Sequence, residues 1–84
     1  MPRYFFHLRD GDDVLLDLEG RDLSCLQAVA AATLEEARAI IAHDARDGEI
    51  RLTYRLAVED ETGRPVHRLD FEDAIAMVRP IPAR

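Results

Sequence analysis

Residues 51–71 read RLTYRLAVEDETGRPVHRLDF, and the reading of this stretch decides the fold. Over 51–59 the side chains alternate. Leu52, Tyr54, Leu56 and Val58 face one way, and Arg51, Thr53, Arg55, Ala57 and Glu59 face the other. Such period-two alternation marks a strand with one face buried. Asp60-Glu61-Thr62-Gly63-Arg64 carries turn chemistry, and Val66 to Phe71 forms the return strand. Side-chain matching sets the register. With Glu61 to Arg64 as a four-residue loop, Leu56 lies opposite Leu69, Tyr54 opposite Phe71 and Arg55 opposite Asp70. A loop one residue shorter sets Leu56 against Arg68 and mixes the two faces, so the four-residue loop is expected.

Working outward, residues 3–9 form an aromatic-rich strand. Asp10-Gly11 signals a tight turn, and Val14-Leu15-Leu16-Asp17 returns as a second strand. Asp17 to Asp22 reads as a polar loop containing Gly20. Between the hairpins the pattern turns helical from Leu26 to Arg46. Leu26, Ala30, Leu34, Ala37 and Ile41 fall on one stripe, with Val29, Thr33 and Ile40 beside it. Ser24 or Asp22 is placed to cap the start and Gly48 to follow the end. Residues 72–78 are long enough for a short C-terminal helix. Pro80 and Pro82 then break regular structure, so a single domain over 1–79 is followed by a tail at 80–84.

The order ββαββ predicts an α+β domain, a four-stranded antiparallel sheet with one long helix packed on one face. Numbered along the chain, the strands satisfy their directions in the spatial order 2-1-3-4, with a right-handed crossover between the hairpins.

Composition narrows the function classes. The chain has 84 residues and one cysteine, Cys25, so no internal disulfide forms, and no Cys/His cluster offers a zinc site. A domain this small has a modest core, and oligomerisation is the remaining common source of stability. A short apolar run at the N-terminus, no segment of membrane-spanning length and a lone cysteine predict a cytoplasmic protein with no membrane partner. The formal net charge of −6 disfavours a coat for nucleic acid. All eleven basic residues are arginine and there is no lysine, which matches the base bias of a GC-rich genome.

One helix covers one sheet face. If Tyr4, Phe6 and Leu8 join Leu52, Tyr54, Leu56 and Leu69 beneath it, the other face gathers Arg3, Phe5, His7, Arg9, Arg51, Thr53, Arg55, Val66, Arg68 and Asp70. The candidate interaction face is therefore Arg3, Phe5, His7, Arg9, Arg51, Arg55 and Arg68. Self-association, as a homo-oligomer with a dimer favoured, ranks first. A solvated face with cross-strand pairs such as Arg55–Asp70 ranks second. An anion or nucleic-acid site ranks third, because only Phe5 offers a stacking ring.

No residue earns a catalytic, metal or cofactor assignment, and a non-enzymatic role is expected. His7 belongs to the open face, His67 to the helix side and His43 to the helix end, so they do not converge. Asp10, Asp12 and Asp13 lack the rest of a calcium loop. Ser24 and Cys25 have no histidine at a persuasive position.

The opening Pro2-Arg3-Tyr4-Phe5-Phe6-His7, then Arg9-Asp10-Gly11 and Asp17-x-Glu19-Gly20, carries a resemblance. So does Val58-x-Asp60-Glu61-x-Gly63-Arg64 ahead of Phe71-x-Asp73-Ala74. The chain resembles, over nearly its whole length, domain-of-unknown-function family 6894, short proteins frequent in alphaproteobacteria. That resemblance implies a free-standing bacterial domain and brings no activity, cofactor or site residue with it. Cys25 has no counterpart in the family's pattern.

Overall fold

The computed structural model describes residues 1–78, 80 and 81. The chain runs β1 (Arg3–Asp10), β2 (Asp13–Leu15), β3 (Arg21–Asp22), α1 (Leu26–Arg46), β4 (Arg55–Glu59) and β5 (Pro65–Asp70), then a 3-10 turn over Phe71–Asp73. The main path of the antiparallel sheet is β2-β1-β4-β5, the expected order, with β3 also paired to β1. The 3-10 turn stands where a longer helix over 72–78 was expected, and the tail expected at 80–84 falls largely outside the described residues.

The second hairpin keeps the expected pairing, Leu56 opposite Leu69 and Arg55 opposite Asp70, but reaches it differently. The Asp60 amide donates to the Arg64 carbonyl at 3.0 Å, so the loop is the three residues Glu61–Gly63, closed by Gly63 at φ 83°. Asp60 Oδ1 accepts from the Thr62 and Arg64 amides and the Thr62 hydroxyl. Glu59 then pairs with Pro65, while Val58 pairs with His67. Val66 is the extra residue of a bulge, and that one residue restores the register the shorter loop would have lost. Val66 consequently packs against the core instead of standing on the open face.

β4 starts at Arg55 rather than at residue 51. Its partner β1 ends at Asp10, with Arg9 opposite Arg55, so residues 51–53 run past the end of β1 and have no strand to pair with on that side. Past Arg55 the Phe71 amide, donating to the Tyr54 carbonyl at 2.9 Å, continues the β5 side.

Helix α1 packs on β4, β5 and the 3-10 turn. Its buried stripe is Val29, Ala32, Thr33, Ala37 and Ile41, rotated from the expected one, so that Leu26 is exposed. Alanine-rich faces offer little contrast for reading a stripe, and the bulky core partners decide it. Thr33 is fully buried and satisfies its hydroxyl on the Val29 carbonyl at 2.7 Å. The N-cap is Cys25, not Ser24 or Asp22, and makes no side-chain cap. At the other end the Glu49 amide reaches the Asp44 carbonyl and the Gly48 amide the Ala45 carbonyl, a Schellman closure with Gly48 in the expected place. The core joins Tyr4 and Phe6 of β1 to Leu56 and Val58 of β4, the helix stripe and Phe71, which meets Tyr54 edge-on.

Candidate functional site

The outer edge of β1 is covered in two pieces. β2 pairs with Leu8–Asp10 through a two-residue turn, and β3 pairs with Arg3 and Tyr4. Three residues of β1 lie between those pairings, Phe5 to His7, and five of the connecting chain, 16–20. The connection is thus two residues longer than the stretch of β1 it spans, and Asp17 fills the notch. Its Oδ2 accepts the Phe6 amide at 3.0 Å, where a strand carbonyl would sit. Its Oδ1 accepts the Glu19 and Gly20 amides. The Asp17 amide donates to His7 Nδ1 at 3.1 Å, which leaves Nε2 to meet Glu59 Oε1 at 3.3 Å. Partial burial works against the Asp17 charge, but the Phe6, Gly20 and Glu19 amides and nearby His7 outweigh it. The carboxyl therefore lies below its ordinary value. Gly20 has φ 71°, and a Cβ there would stand 2.9 Å from the Tyr4 carbonyl and from side-chain carbons of Arg3 and Phe5. Only glycine fits this approach.

The pairing places Arg3, Phe5, His7, Arg9, Arg55 and Arg68 on the sheet side away from the helix. Arg51 is not among them. It lies before β4, exposed, with its guanidinium bonded to the Tyr54 hydroxyl at 2.9 Å and to Glu49 at 3.0 Å, and these bonds hold it protonated. Most of the remaining cations are matched locally. Arg3 pairs with Asp22 at 3.1 Å and also reaches the Glu19 carbonyl. Arg68 pairs with Asp70 at 3.2 Å on its own strand, so Asp70 does not form the expected ion pair with Arg55. His7 is only 8% exposed and is covered by the 16–20 segment. Among the described residues, Arg9 and Arg55, directly opposite each other, have no carboxylate within 4.0 Å.

A different surface lies on the β2 side of the sheet. Val14, Leu15, Leu16 and Leu18 are 44, 70, 55 and 84% exposed. Leu15 and Leu16 border an open groove of about 350 Å³ between the 15–21 segment and α1, lined also by Phe6, Leu8 and Ile40. Arg21 and Glu36 stand at its rim, with Arg21 stacked on the Phe6 ring at 5.5 Å. The run Val-Leu-Leu-x-Leu held the signal, since unbroken apolar residues in a marginal strand cannot all face a core.

Cys25 is exposed at the start of α1. The nearby Ala28 amide and then the Ser24 hydroxyl keep its thiol below the usual value, desolvation works against them, and the Gln27 amide adds least. Among the described residues no group of three or more His, Cys, Asp or Glu is placed to hold a metal, and no helix is long and apolar enough to cross a membrane.

Fold and surface together define a small one-helix α+β domain with an antiparallel sheet, stapled at one edge by a carboxylate. The chain belongs to the family described as Domain of unknown function (DUF6894), which it matches over residues 3–72. No curated protein and no solved structure matches it. The matched span holds both halves of the staple, His7 and the Asp17-x-Glu19-Gly20 segment.

Proposed function

We propose that this domain is a non-enzymatic, cytoplasmic interaction module that associates with a second copy of itself. The observation that carries this reading is the exposed apolar run Val14-Leu15-Leu16 with Leu18, on a sheet margin that no other part of the described chain covers. Contiguous apolar exposure on a small domain marks an interaction surface. A chain whose core is this small also gains stability from a partner. Light scattering after size exclusion tests the reading. A mass above that of the 9.5 kDa chain is expected, with dissociation in Leu15→Glu. A strict monomer at high micromolar concentration overturns it.

A second reading rests on Arg9 and Arg55. Like charges directly across a strand pair are unfavourable, and an oxyanion bridging the two guanidinium groups relieves that. Under this reading the ligand is a phosphate-bearing molecule, and a nucleic-acid backbone is one such source. Titration with inorganic phosphate and with a single-stranded oligonucleotide at low salt separates the sources. No binding of either removes the reading, because such contacts are strongest at low salt.

A further inference from the structure

Resting on the self-association reading, we infer that the second copy docks by laying its Val14–Leu16 segment, the end of β2 and the residue after it, antiparallel along the same segment of this chain, with the two-fold axis at Leu15. The two-residue turn makes Asp10 and Asp13 a hydrogen-bonded pair, and Leu8 with Leu15 the next. Val14, between them, directs its own N–H and C=O away from β1. In an antiparallel ladder the residues paired across strands must both direct their backbone groups toward each other, so a two-fold register fits only in steps of two. The register centred on Leu15 sets Val14 against Leu16 of the copy and Leu15 against Leu15 of the copy.

Three features favour this occupant. First, the segment is its own complement, because every central cross-strand pair in this register is apolar on apolar. The next pair outward sets Asp13 against Asp17 of the copy, and the Asp17 carboxylate is turned inward to the Phe6, Glu19 and Gly20 amides instead of facing across. Second, α1 packs on β4 and β5, so the helix-side surface over Leu8 and Leu15 is left as an open groove. Leu15 lies opposite Leu8 and shares its side, so pairing at Leu15 brings a second leucine over that groove. Third, the other sheet margin is closed to such addition. β5 begins with Pro65, carries the bulge at Val66, and ends with the Arg68–Asp70 pair, devices that discourage strand addition.

The test uses cysteine pairs on the full chain with Cys25→Ser as background. Leu15→Cys places two thiols across a non-hydrogen-bonded pair, where the Cα separation suits a disulfide. Leu18→Cys is as exposed but off the register. Under oxidised glutathione, Leu15→Cys is expected to give the covalent dimer at least about 10-fold faster than Leu18→Cys, because only matched thiols meet disulfide geometry. Light scattering on the uncrosslinked background protein is run beside it. A dimer without preferential linkage at Leu15 overturns this docking and leaves self-association standing. A monomer overturns both.

Discussion

β5 finishes one margin of the sheet with a proline, a bulge and an ion pair, whereas β2 finishes the other with three residues that are all exposed. The β5 margin is held by main-chain pairing to β4 along its length. The β2–β3 margin pairs only at its two ends, and its middle rung is the Asp17 side chain. The difference teaches that the two margins answer different demands. One is sealed by local geometry and charge. The other combines a strict internal staple with an apolar exterior, as expected where the inner face must hold its shape and the outer face must meet something.

The largest effect expected on this contrast comes from Gly20→Ala. A left-handed φ with a side chain, and a Cβ 2.9 Å from the Tyr4 carbonyl, should cost at least about 2 kcal/mol. For a domain of this size that lowers Tm by about 8–16 °C. A shift below a couple of degrees would mean that the staple does not need the close approach.

Asp17→Asn comes next, at about 1–2 kcal/mol near neutral pH, since a charged acceptor serving several amides is replaced by a neutral one. The sign with pH is fixed. A carboxyl whose folded value is lowered stabilises the fold above its ordinary value of 3.8, and loses that contribution as pH falls through the folded value. Thermal melts from pH 7 to pH 3 should therefore show the gap between wild type and Asp17→Asn narrowing at the acid end. A constant gap contradicts the assignment.

The smallest effect is reserved for β5. Pro65→Val with Arg68→Val should change monomer stability by no more than about 0.5 kcal/mol, as exposed edge substitutions do. It should nevertheless raise association or turbidity, because it recreates at β5 the bare apolar edge found at β2. Unchanged association in the double variant would show that the proline and the charge are not what seals this margin.

Alternation made β4 and β5 legible, down to Leu56 opposite Leu69, because half-buried strands write their register in apolar side chains. It did not disclose the route, a three-residue loop plus the Val66 bulge, since the two irregularities cancel beyond His67. Arg51 was misplaced because alternation continues after pairing stops, and the sequence does not announce where β1 turns away. β3 is hidden within the polar loop of the sequence, since Arg21-Asp22 has neither length nor apolar contrast. The helix stripe was rotated because alanines on several faces blur the moment. Of the candidate face, the side on which Arg3, Phe5, His7, Arg9, Arg55 and Arg68 lie follows from strand parity. The partners that occupy Arg3, Arg68 and His7 do not, because Asp22, Glu59 and the Asp17 amide arrive from other strands or from the 16–20 connection. Asp70, on the same strand as Arg68, was assigned to Arg55 instead.

The Asp17 staple has a consequence for how the sheet breathes. Where two backbones hold each other, an amide opens only when both strands part. The Phe6 amide is held by a side chain on a five-residue connection, so its exchange with solvent deuterium follows local lifting of residues 16–20. Its neighbours Phe5 and His7, paired to Glu59 and Ala57 of β4, exchange only with the deeper core. Alternate amides along a single strand thus belong to two different units of cooperative opening.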